Sequence, residues 1–166
     1  MVKIKYLVIA LLVVILGIVG GIYLFQSDSK KIKKQFNSLA TLVSKEPGED
    51  PITMATKAKS VGTLFAETCE LTIPITGLSE SYTPAEVSSY AANTRIAFSE
   101  LSLKFYDFNI EFPEQGFARV VLTSDLKGKL MSGNFVDETR EVQCVLKKID
   151  RKWLFSEIKV IEVLKK

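Results

Sequence analysis

The chain has 166 residues, 47% of them hydrophobic, and its 22 lysines and arginines against 19 aspartates and glutamates give a formal net charge of +3. This composition excludes low-complexity disorder, a collagen and a coiled coil, and the length suits a single domain. Histidine is absent. The sequence therefore lacks the commonest general base and the commonest metal ligand.

One segment near the start, Tyr6 to Phe25, contains no charged residue. Twenty apolar residues form a helix of about 30 Å, the thickness of a bilayer core, whereas the apolar region of a signal peptide has only about 7 to 15 residues. We expect an uncleaved signal-anchor, with a cleaved signal peptide or a buried core helix as alternatives. The predicted organisation is a tail at 1–5, a transmembrane helix at 6–25, a joint at 26–29 and one domain at 30–166.

Lysines flank this segment on both sides, so the positive-inside rule does not fix its orientation. A long following domain can cross the membrane largely regardless of its charge. We therefore expect a single-pass, inner-membrane anchored protein with an extracytoplasmic domain. In the alternative orientation the domain is cytoplasmic, and a lysine cluster contacts anionic lipid. That cluster consists of Lys30, Lys31, Lys33 and Lys34.

Two amphipathic helices are predicted to open the domain. The first begins at Lys30, and its apolar residues recur at helical spacing as far as Val43. The second begins at Asp50, an N-cap followed by proline, and its apolar stripe continues to Cys69. The stripe residues of this second helix are Met54, Ala58, Val61, Phe65 and Cys69.

A third helix is predicted from Thr83 to Leu101, because Thr83-Pro84-Ala85-Glu86 is a capping box with proline at the first helical position. Before it, Leu71 to Ile75 alternates like a short strand, and Gly77 to Tyr82 is predicted to be a loop.

After the third helix the hydrophobic period changes from 3.6 to 2, which predicts two antiparallel hairpins. In the first predicted strand, Tyr106, Phe108, Ile110 and Phe112 share one face. In the last strand a change of parity predicts a β-bulge near Ser156. The predicted hairpin strands are Tyr106–Phe112 with Phe117–Lys127, and Val136–Lys148 with Lys152–Leu164. Helices followed by antiparallel strands indicate an α+β fold with the helices on one face of the sheet.

This order of elements resembles the nuclear transport factor 2-like (NTF2-like, cystatin-like) superfamily. The residues that carry the resemblance are Phe65 to Ile75, Thr83 to Leu101, the turn at Lys148 to Leu154 and the final strand Ile158 to Val163. The resemblance implies a cone of about three helices packed on a curved antiparallel sheet. Similar members include ketosteroid isomerases, dehydratases, SnoaL-like polyketide cyclases and non-catalytic binding or assembly proteins. A similar anchor-plus-cone plan occurs in assembly subunits of type IV secretion systems.

No catalytic residue is transferred from this resemblance. The His-Asp pair of the dehydratases cannot be matched without histidine. Tyr90, Tyr106 and Asp107 could supply an isomerase-like set by residue type, but no motif assigns them. We predict no metal or cofactor, and an apolar interior without a buried Asp or Glu.

An aromatic stripe could line a hydrophobic pocket, although such a stripe on a sheet is more often core. The candidate lining residues are Tyr90, Tyr106, Phe108, Ile110 and Phe112. The two cysteines, Cys69 and Cys144, could form one disulfide outside the cytoplasm, but two separate buried thiols are favoured.

These observations predict a non-enzymatic, single-span membrane protein that displays its domain for binding or assembly. The predicted partners are the lipid bilayer and either a protein partner or a second copy of the chain; a small apolar ligand is an additional candidate, and nucleic acid is excluded by the balanced charge. The alternative is an isomerase or lyase acting on a small apolar substrate inside the cone.

Overall fold

The computed structural model describes residues 13–14, 27–74 and 77–163. The chain divides into two compact units, residues 1–34 and residues 35–166. In the first unit, residues 13–14 and 27–34 are helical. The predicted boundaries of the transmembrane segment, Tyr6 and Phe25, lie outside the described residues.

In the described ranges, no helix is both long and apolar enough to cross a membrane. As far as the described residues go, this finding contradicts the predicted location, a single-pass anchor with an extracytoplasmic domain. The four lysines assigned to possible lipid contact, Lys30, Lys31, Lys33 and Lys34, are all exposed, and the ammonium group of Lys31 lies 3.5 Å from the Asp28 carboxylate.

The second unit contains three helices, and the second and third begin where the sequence predicts an N-cap. Helix α1 covers residues 35–43, α2 covers Pro51–Gly62 and α3 covers Pro84–Ala97. The Asp50 carboxylate accepts the amide hydrogens of Ile52 and Thr53 at 3.0 Å. The capping box of α3 is complete, since the amide of Glu86 donates to Thr83 Oγ1 and the amide of Thr83 donates to the Glu86 carboxylate. The predicted starts of α2 and α3 are therefore confirmed.

Two predicted helix ends are wrong. Helix α2 ends at Gly62 instead of Cys69, and α3 ends at Ala97 instead of Leu101. The sequence from Phe65 onward is strand, although Phe65 and Cys69 continue the apolar stripe of α2. A spacing of four residues is even, so it places side chains on one face of a strand as well as on one face of a helix.

The six strands form one sheet in the order β2-β1-β6-β5-β4-β3. Their bounds are β1 Phe65–Ile73, β2 Leu78–Tyr82, β3 Phe98–Glu114, β4 Phe117–Leu130, β5 Phe135–Ile149 and β6 Lys152–Val163. The pair β1 and β6 is parallel and the other neighbouring pairs are antiparallel. The α+β class and both predicted hairpins are confirmed, whereas the predicted loop at Gly77 to Tyr82 is wrong because it contains the edge strand β2.

A β-bulge in β3 separates Tyr106 from the aromatic residues that follow it. Tyr106 pairs with Thr123 and Asn109 pairs with Val121, so β3 has one more residue than β4 here. Asp107, at the bulge, has a left-handed φ of 56°. Because one extra residue reverses the parity, the predicted shared face of Tyr106 and Phe108 is wrong, and Tyr106 is 45% exposed. The bulge predicted near Ser156 is confirmed by the register shift between β5 and β6.

Aromatic rings fill part of the interior beside α1. The Phe36 ring makes edge contacts with Phe105, Phe108 and Phe155 at centroid distances of 4.9 to 5.4 Å, and Phe65 packs on Phe155. We call these five residues the phenylalanine cluster.

Trp153, which lies in the turn region that carries the family resemblance, is 4% exposed. Its ring centroid lies 5.9 Å from that of Phe112.

A buried guanidinium joins α3 to the end of α1. Arg95 is 1% exposed, and its Nη1 donates to the carbonyls of Leu42, Val43 and Ser44 at 2.7 to 3.0 Å. Its Nη2 donates to the Glu49 carboxylate, which also accepts from Lys57. In return, Lys45 Nζ donates to the carbonyls of Arg95 and Phe98 at 2.7 and 2.6 Å. We call Lys45, Glu49, Lys57 and Arg95 the arginine clasp. In it, Arg95 of α3 binds the carbonyls at the end of α1, and Lys45, which follows α1, binds the carbonyls at the end of α3.

The prediction of an interior without a buried carboxylate is wrong at one position, because the Glu49 side chain is only 6% exposed. Burial disfavours its charged form, but the hydrogen bonds and positive charges of Lys57 and Arg95 outweigh that effect and hold the pKa of Glu49 below its usual value. This carboxylate is therefore an ion-pair partner and not a proton-transfer group.

Replacing Thr83 with alanine should lower the free energy of unfolding by about 1 kcal/mol, because the amide of Glu86 loses its capping partner. Urea denaturation measures the loss. Ser89→Ala, on the exposed face of the same helix, is the control and should change stability less. Equal effects of the two substitutions would contradict the capping role.

Replacing Glu49 with glutamine should destabilise the protein at neutral pH, and the difference from the unmodified protein should narrow in acid. A lowered pKa in the folded state means that the contribution of Glu49 is complete above its unfolded value, about 4.3, and is lost as the pH falls through the folded value. Unfolding free energies measured between pH 3 and 7 test this. The exposed neighbour Glu46→Gln is the control, and a difference that stays constant with pH would contradict the argument.

Candidate functional site

An apolar cavity of about 340 Å³ lies between α3 and the β2 edge of the sheet. The strands supply Phe65, Cys69, Leu71, Tyr82 and Ile158, and α3 supplies Val87 and Tyr90. Phe65 also belongs to the phenylalanine cluster. The cavity therefore begins where that cluster ends, on the same side of the sheet.

The strand register explains why these side chains meet. Cys69 pairs with Tyr82 and Leu71 pairs with Glu80 across β1 and β2, while Leu71 pairs with Ile158 across β1 and β6. Side chains of directly paired residues lie on the same face of a sheet. Glu80 thus lies on the cavity side of β2, at the exposed edge of the sheet.

Two polar groups lie on the cavity side of β2: the hydroxyl of Tyr82, which lines the cavity, and the carboxylate of Glu80, which the register places on the same face but which is not a lining residue. Tyr82 Oη donates to Glu80 Oε2 at 2.7 Å, and the Tyr82 ring meets the Tyr90 ring edge to face at a centroid distance of 5.2 Å. The hydrogen bond to Glu80, followed by burial and the negative charge of Glu80, raises the pKa of Tyr82 to about 12. The hydroxyl of Tyr82 therefore keeps its proton at neutral pH and acts as a hydrogen-bond donor.

The two cysteines are free and buried. Burial, with the nearby charges of Glu157 and Glu70, raises the pKa of the Cys69 thiol to about 12, and burial also raises the pKa of Cys144. Strand β6 lies between β1 and β5, so the two α-carbons are separated by about two strand spacings, near 9 to 10 Å, which exceeds the limit of about 7 Å for a disulfide. Cys69 is thus a neutral thiol in the cavity wall.

The structure brings one of the five candidate lining residues, Tyr90, to this cavity, where it is 57% exposed. Phe108 belongs to the phenylalanine cluster and Phe112 packs on Trp153. Ile110 is half-buried and pairs with Val120, and Tyr106 is exposed on the opposite face. The stripe on β3 therefore serves mainly as core.

Glu80 and Tyr82 are not among the predicted site residues, because the sequence predicts a loop from Gly77 to Tyr82. The alternation of Leu78, Glu80 and Tyr82 with serines is a period-2 pattern, and it is the signal that predicts this strand. Among the described residues, no group of three or more Cys, Asp or Glu side chains is arranged to hold a metal ion.

A wider groove of about 730 Å³ lies at the end of α1 beside β3 and the β4–β5 hairpin. Its charged lining mixes lysines with Glu46, Glu100 and Asp137. Lys57 in this groove is paired with Glu49, and Lys127 lies 3.5 Å from Asp137. Because these charges largely neutralise one another within the fold, the apolar cavity is the better candidate site.

No protein-family model matches the chain, and no curated protein sequence is significantly similar to it. Solved structures do match its fold. A proposed scytalone dehydratase from Novosphingobium aromaticivorans DSM 12444 aligns with a TM-score of 0.66 and 13% identity, over 84% of this chain and 86% of that chain. A hexachlorocyclohexane dehydrochlorinase, LinA type 2, aligns with a TM-score of 0.65 and 15% identity, over 84% and 90%.

An NTF2-like protein with a cystatin-like fold from Novosphingobium aromaticivorans aligns with a TM-score of 0.66 and 12% identity, over 86% of each chain. The chain therefore has the NTF2-like, cystatin-like α+β fold, with three helices on a curved six-stranded sheet, as the sequence resemblance implies.

These comparisons contradict the prediction of a non-enzymatic membrane protein, because the similar structures include proteins named as a dehydratase and a dehydrochlorinase. The alternative, an isomerase or lyase, agrees better with them. The predicted partners, including the exclusion of nucleic acid, stay predictions.

Proposed function

We propose that this protein is a lyase that catalyses an elimination on a small, neutral, apolar molecule bound in the cavity under α3. The observation that carries the proposal is the hydroxyl–carboxylate pair of Tyr82 and Glu80 on the cavity side of the sheet. It provides a proton acceptor and a hydrogen-bond donor beside an apolar binding space.

The cavity supports a neutral substrate because its walls are aliphatic, aromatic or thiol side chains. A charged group placed among them would lose its hydration without gaining an ion-pair partner. A volume of about 340 Å³ suits a compact ring system. The aromatic rings of Tyr90 and Phe65 offer contacts for such a ring.

In the proposed reaction the Glu80 carboxylate removes a proton from a substrate carbon. The electron pair of the broken C–H bond forms the new double bond, and the leaving group departs from the neighbouring carbon with its bonding electrons. As Glu80 takes up the proton, the single O–H of Tyr82, which stays protonated because its pKa is raised to about 12, turns from Glu80 to the leaving oxygen or halide and donates a hydrogen bond to it. The products are an alkene, the leaving group and a protonated Glu80 that returns its proton to water.

The comparisons support this reaction class. The names scytalone dehydratase and hexachlorocyclohexane dehydrochlorinase describe loss of water and loss of hydrogen chloride, and both losses are eliminations. This chain has no histidine. In the proposal, Glu80 therefore serves as the base.

The test uses hexachlorocyclohexane, with chloride release as the readout, and scytalone, with product absorbance as the readout. The unmodified protein should release product faster than buffer, and Glu80→Gln should lower kcat by about 100-fold or more, since it removes the base. Tyr82→Phe should lower kcat more than it raises KM, because its hydrogen bond strengthens as the leaving group departs.

Ser81→Ala is the matched control, because Ser81 lies between the two residues on β2 and on the opposite face of the sheet. Its kinetics should equal those of the unmodified protein. Failure to convert either compound, or conversion by Glu80→Gln at the unmodified rate, would reject the proposed function.

A further inference from the structure

The two polar groups of the candidate site approach the cavity from one side. Glu80 and Tyr82 are two residues apart on β2, so their side chains lie on the same face of that strand. Tyr82 Oη lies 2.7 Å from Glu80 Oε2. Tyr90 packs its ring against the ring of Tyr82 at a centroid distance of 5.2 Å. The groups that could accept a proton or bind a leaving group are therefore gathered at the β2 edge of the cavity.

The other residues that line the cavity, all in the described part of the chain, offer no group for either task. The Cys69 thiol is neutral, because burial and nearby negative charges raise its pKa to about 12. An anionic leaving group released against these side chains would lose its hydration without gaining a partner. The hydrocarbon part of the lining consists of Phe65, Leu71, Val87 and Ile158. The reacting hydrogen and leaving group of a bound molecule must therefore both face β2.

The wall formed by α3 is held at both ends, so it cannot move to bring another group into position. Near its start α3 packs so closely on α2 that a Cβ atom at Gly62 would collide with the Pro84 carbonyl and the Ser88 hydroxyl. Near its end Arg95 binds three carbonyls that follow one another at the end of α1. Tyr90 lies between these two attachments. The arrangement of polar groups at one side of the cavity is therefore fixed.

The distance between Glu80 and Tyr82 decides the stereochemistry of an elimination. A base or a hydrogen-bond donor must come within about 3 Å of the atom on which it acts. Two such groups on opposite faces of a substrate would be at least about 6 Å apart, whereas the two oxygens here are 2.7 Å apart. Rotation of the Tyr82 O–H turns its hydrogen without moving the oxygen. The spacing of two carboxyl groups distinguishes inverting from retaining glycosidases by the same reasoning.

We infer that the protein removes the hydrogen and the leaving group from the same face of its substrate, a syn elimination, and that it selects molecules in which the two are cis on neighbouring carbons. This inference rests on the proposed function, because it concerns the same reaction. Glu80 takes the proton, the electron pair of the C–H bond forms the double bond, and the leaving group departs with its bonding electrons toward Tyr82. An anti elimination would instead release the leaving group against the apolar wall.

The β and γ isomers of hexachlorocyclohexane test the stereochemistry. In the β isomer every chlorine is cis to the hydrogens on both neighbouring carbons, so any loss of hydrogen chloride from it is syn. The γ isomer also has trans pairs, which hydroxide in water eliminates faster by the anti route. The ratio of the β rate to the γ rate, measured by chloride release, should be about 100-fold higher with the protein than with hydroxide, the factor that one well-placed donor contributes. A ratio equal to that with hydroxide would overturn the inference.

Two variants serve as controls. Ser81→Ala, on the opposite face of β2, should keep the ratio of the unmodified protein. Glu80→Gln should slow both isomers by the same factor, about 100-fold or more, because one base serves both. Slowing of only one isomer would overturn the inference. Conversion of the γ isomer without the β isomer would also overturn it and leave the proposed function standing, whereas conversion of neither isomer nor scytalone would reject both.

Deuterium-labelled scytalone decides the stereochemistry if scytalone is the only compound that the protein converts. The label is placed on the carbon that loses its proton, either cis or trans to the departing hydroxyl. Mass spectrometry of the product should show that the cis label is lost and the trans label is kept. Retention of the cis label with loss of the trans label would overturn the syn elimination and leave the proposed function standing.

Discussion

The guanidinium of Arg95 is the constraint on which the arrangement of the helices depends. It is buried almost completely; its two terminal nitrogens bind three main-chain carbonyls and a carboxylate, whereas its Nε has no hydrogen-bond partner. A buried guanidinium of this kind strongly stabilises one arrangement of α1 and α3, because moving either helix would leave its buried charge without partners. Since Lys45 binds the end of α3 in the same way, the clasp fixes the end of α1 and the end of α3 together.

This polar attachment explains where the interior is filled and where it is open. On the α1 side, the phenylalanine cluster occupies the space between helix and sheet. On the α3 side no comparable set of side chains is buried, because the helix is anchored through Arg95 and contributes only Val87 and Tyr90 above the strands. The cavity is therefore the part of the interior that α3 covers without filling.

Local signals in the sequence are sufficient for the starts of α2 and α3, the hairpins and the bulge at Ser156, since N-caps and period-2 alternation act over a few residues. They failed where one pattern fits two structures, as in the spacing of Val61, Phe65 and Cys69. They also failed at Asp107, where a single inserted residue turned Tyr106 outward. Arg95 and Glu80 carry no local signal of their roles, because a clasp and a cavity rim are made by residues distant in the chain.

The absence of histidine is less restrictive for this fold than the sequence implied. An exposed carboxylate can accept a proton, and in the proposed reaction that carboxylate is Glu80 on the edge strand β2, which accepts a hydrogen bond from Tyr82. Glu49, by contrast, is buried beside two cations that lower its pKa, and its charge stabilises the clasp. The two carboxylates thus have different roles because one meets two cations in the interior and the other meets a neutral hydroxyl at the rim of an apolar cavity.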